Sequence, residues 1–410
     1  MRILLLTQII PYPPDAGPKV KTWHVLRYLA ESGHQITLVS FVRSEEEQYL
    51  PVMKQLCTAV HPVPIRRSRL ADVGYWLRSH LTGRPFLIER DDLPPMRHLV
   101  RELLARETFD AIHADQLTMT QFALDALAGD DGKRPFLIFD AHNAVWTIIE
   151  RMGENASWFL KPVLALESER IKRYEGMLTE RFDHTMVVIE PDREALLAAV
   201  NDRSTTEVRQ SVSVIPIAVD TVKLQPLTRK PTSANIVTLG TLHYPPNADG
   251  IRWFLTEVLP LIRAQIPEAV LTIIGKNPPK DFVEAANQNP DHVAVTGYVP
   301  ELDPYLDQAA IMVVPVRAGG GMRVRILEAF ARAMPVVTTT VGLEGIEAAH
   351  RQEVLVANDP VAFAAATVEL LQDQVLQERL AANGRILAEN RYDWQVVLNK
   401  MNDIYAQAER

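Results

Sequence analysis

Residues 313 to 345 combine the residue types that bind phosphate. Three consecutive glycines, Gly319 to Gly321, follow an apolar run, and an apolar periodic segment begins near Met322. Where a glycine loop opens a helix, free backbone N–H groups point outward and the helix dipole favours negative charge. Arg323 and Arg325 add forked donors that suit phosphate oxygens. The stretch therefore predicts that these arginines and the backbone of Gly320, Gly321 and Met322 bind a diphosphate.

Glu328 adds a group of opposite charge to the same segment. It follows Arg325 by three residues and so lies near the same face of the predicted helix. A carboxylate does not serve an anion, but it accepts hydrogen bonds from the paired hydroxyls of a ribose. The pattern indicates a nucleotide site, and the alternative is a plain loop followed by a surface ion pair of little energy.

The elements around this segment indicate a parallel α/β sheet. The apolar run ends at Pro315, and Pro335 stops the helix directly before a β-branched run from Val336 to Val341. Strand, glycine loop, helix and strand in this order are typical of parallel sheets. Further strand ends carry glycine at Gly240, Gly275 and Gly297, followed by Thr241 and Tyr298 in two cases. Close approach of a ligand to the sheet edge would explain these glycines, and so would tight turns.

The first half of the chain repeats this alternation. The apolar run from Ile3 to Ile10 predicts a strand covered on both faces, followed by a loop and a helix. That loop holds Gly17 and then Pro18, which is not a dinucleotide fingerprint. His142 lies just past the predicted strand from Phe136 to Phe139, where α/β sheets place their sites. We favour His142 over His113 as the functional histidine, and a structural role is the alternative.

Composition sets the outer limits. A chain of 410 residues predicts two domains. The formal net charge of −8 does not suggest a nucleic acid partner. The single Cys57 excludes an internal disulfide framework and multi-cysteine metal sites. No apolar run reaches the length of a spanning helix, so we expect a cytoplasmic protein.

The segment Gly-Gly-Met-Arg-Val-Arg-Ile-Leu-Glu-Ala-Phe-Ala, followed by Pro-Val-Val, resembles the donor-binding segment of GT-B glycosyltransferases, most closely glycosyltransferase family four. The resemblance implies two Rossmann-like, doubly wound domains that face each other across a cleft. We expect an acceptor-side domain over 1–200, completed by a C-terminal helix over 392–410, and a donor-binding domain over 208–391. The polar stretch 201–210 is the predicted linker, and Val212 to Pro216 is predicted to open the second half.

The same resemblance assigns roles to residues. Gly17 and Lys21 match the family's N-terminal loop, and His142 would contact the donor sugar or the acceptor. Gly240, Thr241 and Tyr298 belong to the predicted nucleotide site, although Thr241 stands where many members have arginine. Gly320 stands where the family's first glutamate is usual, and Glu328 matches the second. Arg323 and Arg325 would then supply the positive charge.

A separate basic, amphipathic segment covers residues 65 to 85. Leucine and valine recur there at helical spacing, and five arginines surround them. Such a segment can lie on an anionic membrane surface, and the alternative is a helix packed on the N-terminal sheet.

The residues and the resemblance together predict an enzyme, a glycosyltransferase of the hexosyltransferase type. The resemblance implies retention at the anomeric carbon, and we expect a metal-independent enzyme with no cofactor that uses a UDP- or GDP-sugar donor. The expected acceptor is a glycan or a lipid-linked molecule in cell-surface polysaccharide or glycolipid synthesis, with peripheral contact at the cytoplasmic face of the inner membrane as one alternative. The alternative functions are a nucleotide-sugar epimerase on the same fold and a non-catalytic nucleotide-sugar-binding subunit.

Overall fold

A computed structural model describes residues 1–128, 134–154, 156–200, 206–229 and 233–409. The chain forms two compact units. The first comprises Met1–Ile217 and Val397–Arg410, and the second comprises Ala218–Val396.

The first unit is built on a seven-stranded parallel sheet in the order β3-β2-β1-β4-β5-β6-β7. Its strands are β1 (Arg2–Thr7), β2 (Gln35–Val42), β3 (Ala59–Pro64), β4 (Ala111–Asp115), β5 (Phe136–His142), β6 (His184–Val187) and β7 (Val212–Val214). Its helices are α1 (Gly17–Glu31), α2 (Leu50–Leu56), α3 (Arg69–Thr82), α4 (Phe86–Asp91), α5 (Pro94–Arg106), α6 (Thr120–Ala123), α7 (Val145–Glu154), α8 (Lys161–Arg181), α9 (Glu190–Ala199) and α10 (Thr206–Gln210).

The second unit is built on a six-stranded parallel sheet in the order β10-β9-β8-β11-β12-β13. Its strands are β8 (Asn235–Leu239), β9 (Val270–Ile274), β10 (Val293–Gly297), β11 (Ile311–Val314), β12 (Val336–Thr338) and β13 (Leu355–Val356). Its helices are α11 (Pro245–Trp253), α12 (Leu259–Arg263), α13 (Lys280–Gln288), α14 (Asp303–Leu306), α15 (Val324–Ala331), α16 (Pro360–Gln372) and α17 (Gln374–Leu387). Two further helices, α18 (Trp394–Leu398) and α19 (Met401–Tyr405), follow.

Each sheet has its own apolar core because its central strands are apolar on both faces. Leu4 and Leu6 of β1 and Ile311 and Val313 of β11 are fully buried. Both sheets are doubly wound, and the strand order reverses between β1 and β4 in the first and between β8 and β11 in the second. Ligands of such sheets bind outside the carboxyl ends of the strands at this reversal.

The boundary between the units lies later than the sequence indicates. The predicted second domain begins at 208, but β7 is hydrogen-bonded to β6 in the first sheet and the first unit runs to Ile217. Of the predicted linker, 201–205 lie outside the described residues, and Thr206–Gln210 forms α10. The C-terminal return to the first unit begins at Val397 rather than at 392.

Helix α3 differs from the packed alternative considered above. Ser79 is the one buried residue of this helix, and its large apolar side chains are exposed. None of the helices in the described ranges is both long and apolar enough to cross a lipid bilayer.

Candidate functional site

The glycine loop, residues 315–323, lies at the carboxyl edge of the second sheet, between β11 and α15. Gly319 and Gly321 adopt φ values of +96° and +85°, a left-handed region that side chains with a Cβ rarely enter. The N–H of Gly321 donates to Oε2 of Glu344 at 3.0 Å. The N–H groups of Gly320 and Met322 make no hydrogen bond to any described residue. The loop therefore presents two backbone donors next to a helix N-terminus, as an anion site requires.

Arg323 is the N-cap residue of α15 and folds back over the loop. Its Nη1 donates to the carbonyl oxygens of Gly320 and Gly321 at 2.7 and 2.6 Å. These bonds hold the guanidinium against the carbonyl groups of the glycine loop. The arrangement concentrates positive charge at the loop.

Arg325 is directed inward, toward the strand end of β8. Its Nη1 donates to the carbonyl oxygen of Leu239, and its Nη2 donates to Oδ1 of Asn247 at 2.6 Å. Burial, and secondarily the charge of Arg323, lower the pKa of Arg325 to about 10. The side chain therefore remains a cation at neutral pH and ties α15 to the loop that follows β8.

Gly240 leaves room for that guanidinium. A Cβ at this position would lie 2.5 Å from Nη1 of Arg325 and 3.2 Å from Nδ2 of Asn247. The adjacent Thr241 is exposed, and its carbonyl oxygen accepts from Asn247 Nδ2 at 3.2 Å. The structure thus brings Gly240, Thr241 and Arg325 together, and Asn247 links them.

Glu328 lies one turn further along α15 and is half-buried. Burial raises the pKa of its carboxyl group, while the charges of Arg332 and Arg325 oppose this shift. Within the described part of the chain its carboxylate makes no hydrogen bond or ion pair. An acceptor of this kind is available to the hydroxyl groups of a ligand.

Tyr298 follows β10 at the neighbouring strand end. Its ring is 59% exposed, and Nζ of Lys276 lies 4.5 Å from the ring centroid. Both residues stand at the carboxyl edge of the second sheet, and their described contact is with each other and not with the glycine loop.

A buried ionic cluster lies at the carboxyl edge of the first sheet and comprises Lys21, His113, Asp115, Asp140 and His142. Nζ of Lys21 forms an ion pair with Oδ1 of Asp140. Nε2 of His113 lies 3.5 Å from the other oxygen of Asp140, and its Nδ1 lies 2.7 Å from the hydroxyl of Tyr405. Burial alone would raise the pKa of Asp140, but Lys21 and His142 hold it well below its usual range.

His142 has a special backbone position within this cluster. The register of β5 against β6 shifts between Asp140 and His142, and His142 adopts φ +59°. Strand bulges and left-handed backbone at a residue other than glycine are concentrated at functional sites, where they re-aim side chains. Nε2 of His142 lies 2.8 Å from Oδ1 of Asp115, which also accepts from Thr22 Oγ1 at 3.0 Å.

Gly17 lies at the start of the helix that carries two of the side chains in and beside this cluster. It is the first residue of α1, and Lys21 and Thr22 follow one turn later. The helix carries both side chains over the ends of β4 and β5.

One group of side chains in the cluster has the composition of a cation site. Ligand atoms of His113, Asp115 and Asp140 lie within 4.8 Å of one another. The ammonium group of Lys21 already neutralises Asp140, so a metal ion would have to displace it. The residues therefore do not fit a metal ion well.

Sequence reasoning did not single out Asp115, Tyr405 or Glu344. Asp115 carried a usable signal, since it ends a short apolar strand just as His142 does. The other two reach their sites from distant parts of the chain, and no local pattern marks them.

Two family models match this chain. The model described as Glycosyltransferase Family 4 matches residues 17–223, which is more than half of the chain, and the model described as glycosyl transferases group 1 matches residues 233–373.

Individual proteins are similar over the full length. An uncharacterized 44.6 kDa protein in the cps region of Klebsiella pneumoniae is 22% identical over 409 residues, 98% of each chain. The crystal structure of HepE from Anabaena in complex with UDP has a TM-score of 0.69 at 14% identity and covers 99% of this chain and 100% of that one. Sucrose-phosphate synthase from Thermosynechococcus elongatus has a TM-score of 0.71 at 16% identity, with 99% of each chain covered. These structures share the GT-B fold with this chain, which confirms the predicted fold class.

Proposed function

We propose that this chain, which belongs to the glycosyltransferases of family 4 and group 1, transfers a sugar from a UDP-sugar to a glycan or lipid-linked acceptor. The transfer proceeds with retention at the anomeric carbon and without a metal ion. The chain is a glycosyltransferase enzyme. The donor, the stereochemistry and the metal independence are the parts that this proposal adds.

The observation that carries the proposal is that backbone donors of the glycine loop and a carboxylate of the helix that follows it, α15, are both available to a ligand. The free N–H groups of Gly320 and Met322 suit a diphosphate, and the uncommitted carboxylate of Glu328 suits a ribose. Both lie at the reversal point of a doubly wound sheet, where nucleotides bind.

The chemistry of transfer assigns a role to each group. Negative charge develops on the leaving diphosphate, and donors fixed in advance stabilise it without reorganisation. Arg323 and the N–H groups of the glycine loop stabilise that negative charge, and Arg325 positions the loop after β8. We assign His142 to the transferred sugar or the acceptor, as expected from its place at the end of β5.

The comparisons support the choice of donor and process. Related structures of HepE are of complexes with UDP and with UDP-glucose, which favours UDP over GDP. The relative from Klebsiella pneumoniae is described as lying in the cps region, which favours cell-surface polysaccharide synthesis.

Titration calorimetry with UDP and GDP tests the site. Loss of a hydrogen bond to a charged group costs about 1.5–3 kcal/mol, so Glu328→Gln should weaken UDP binding about ten- to a hundredfold. Glu284→Gln, an exposed carboxylate of α13, is the matched control and should bind UDP like the wild type. Equal affinity of Glu328→Gln and wild type would remove Glu328 from the site.

Turnover assays test the reaction. With a UDP-sugar and an acceptor pool, EDTA should leave the rate unchanged and NMR should show the anomeric configuration of the donor in the product. Inhibition by EDTA or an inverted product contradicts the corresponding part of the proposal. Incubation with donor alone should yield no epimer.

A further inference from the structure

Helix α3 presents its apolar side chains to the outside. The fractional exposures are 86% for Leu70, 57% for Val73, 41% for Trp76, 54% for Leu77 and 89% for Leu81. Leu70, Val73, Leu77 and Leu81 recur at spacings of three and four and so share one face of the helix. A surface helix of a globular protein normally packs that face on the core, because most helical stability comes from such packing.

Polar contacts, not apolar ones, attach α3 to the rest of the first unit. Buried Ser79 donates to the carbonyl oxygen of Arg84 at 2.7 Å, and Thr82 donates to Oε1 of Glu89 at 2.9 Å. Nη1 of Arg170 in α8 donates to Ser79 at 3.3 Å. These bonds fix the helix with its apolar face turned away from the sheet.

A second exposed apolar segment lies directly before the start of α8. Trp158, Phe159 and Leu160 precede this helix and are 84%, 57% and 44% exposed. Val163 and Leu166 continue the exposed strip along α8. Leu166 and Arg170 are four residues apart and share a face, so the strip leads to the point where Arg170 contacts α3.

The charges around α3 identify what this surface fits. Residues 65–84 hold five arginines against one aspartate, although the chain as a whole carries a net charge of −8. Arg67 and Arg84 pair with Asp91 and Asp92, whereas Arg66 and Arg69 pair with no carboxylate among the described residues. An apolar face flanked by free arginines and by indole rings suits the headgroup region of an anionic bilayer. A second acidic copy of this chain offers no headgroup layer for the indoles.

We propose that α3 and the 158–166 strip together form a docking surface for an anionic lipid bilayer. The inference rests on the proposed function and deepens it, because an enzyme docked on a bilayer meets lipid-linked acceptors held in that same bilayer. The apolar side chains enter the interface, and Arg66 and Arg69 contact lipid phosphates.

Co-sedimentation with vesicles of phosphatidylglycerol and of phosphatidylcholine tests the proposal. The wild-type chain should bind phosphatidylglycerol vesicles at least about tenfold more tightly than phosphatidylcholine, since each basic residue near the surface adds roughly a factor of five. Arg66→Glu/Arg69→Glu should lower the affinity for phosphatidylglycerol about 30-fold or more. Leu77→Glu/Leu81→Glu and Trp158→Ala should each weaken binding, because they act on the two separate parts of the surface.

Val375→Glu is the matched control, since this valine of α17 is 76% exposed and belongs to the second unit. It should bind vesicles like the wild type. Absence of vesicle binding by wild type, or wild-type binding by Leu77→Glu/Leu81→Glu, overturns the proposal. So does a wild-type dimer in sedimentation velocity that Leu77→Glu/Leu81→Glu converts to a monomer, because a second copy then covers the face.

Each variant is also titrated with UDP. Retained UDP binding shows only that the second unit is intact, so each variant must also unfold in guanidinium like the wild type. Lost vesicle binding by a variant that meets both conditions supports the docking surface. Vesicle binding by a wild-type chain that does not bind UDP leaves the docking surface standing and refutes the proposed nucleotide site.

Discussion

Nε2 of His142 lies 2.8 Å from Oδ1 of Asp115, and both residues end neighbouring strands of the first sheet. An ionised carboxylate only accepts hydrogen bonds, so this contact places a proton on Nε2 and fixes the ring orientation. Asp115 is therefore a positioning residue for His142, in the way that the outer partner of a ligating histidine sets its tautomer.

Asp115→Asn should lower kcat because the amide no longer selects that tautomer. The loss of one hydrogen bond to a charged group predicts a decrease of about tenfold or more. The affinity for UDP should stay unchanged, since the site on α15 is separate. Thr22→Val removes a neutral donor from the same carboxylate and should have a smaller effect. A fully active Asp115→Asn enzyme would contradict this role.

Lys21 and Asp140 form an ion pair in which both side chains are almost fully buried. Lys21→Met leaves the carboxylate of Asp140 without its main partner in a site that excludes water. Breaking a buried pair costs about 3–5 kcal/mol, and guanidinium unfolding should show a loss of that order.

Removing both charges separates pairing from packing. In Lys21→Met/Asp140→Asn no unpaired charge remains, so part of the lost stability should return. Equal instability of the single and double variants would show that Lys21 acts through its shape alone.

The parallel sheets could be predicted because their central strands are continuous apolar runs, such as Ile3 to Ile10, bounded by glycine and proline. The strand β7 could not be assigned to the first sheet, since three residues carry no sign of their partner. Strand β7 pairs with β6, which lies more than 20 residues earlier in the chain, and the local pattern of apolar residues does not indicate such a partner.

The candidate site shows the same division. Residues of the glycine loop are adjacent in sequence, so their pattern was visible. The contacts of Arg325 with Leu239 and Asn247 span 86 and 78 residues and arise only in the folded sheet. For the same reason the position of His142 was predicted and its partner Asp115 was not.

Gly240→Ala tests the packing around Arg325. The new methyl group would lie 2.5 Å from Nη1, so the guanidinium must shift, which weakens its hydrogen bond to the carbonyl oxygen of Leu239. Overpacking of this kind costs about 1–3 kcal/mol, and calorimetry should show weaker UDP binding because the loop after β8 shifts.

Gly74→Ala is the matched control for that substitution. Gly74 lies within α3, and a Cβ there meets no atom within 4 Å. Alanine in a helix is favoured over glycine by about 1 kcal/mol, so this variant should melt at or above the wild-type temperature. If Gly240→Ala melts and binds UDP like Gly74→Ala, the close approach of Arg325 does not constrain the site.

Glu175 gives the first unit a pH-dependent stability. This buried residue of α8 accepts from the N–H groups of Val145 and Trp146 at 2.8 and 3.1 Å and so holds the start of α7, just after His142. Burial raises the pKa of Glu175 to about 8 from an ordinary value of 4.5, against the effect of these two hydrogen bonds. Between these values the folded chain holds a proton that the unfolded chain has released. The free energy of unfolding should therefore fall as pH rises through this window, by at most about 1.4 kcal/mol per unit.

Glu175→Gln removes this dependence, because glutamine does not titrate and its carbonyl oxygen still accepts a hydrogen bond. In guanidinium unfolding between pH 5 and 8, about the range of this window, the wild type should lose stability relative to Glu175→Gln. Glu169→Gln changes an exposed carboxylate of the same helix and should follow the wild-type curve. Parallel curves for the wild type and Glu175→Gln would mean that Glu175 is ionised in the folded chain, with the two N–H donors of α7 outweighing its burial.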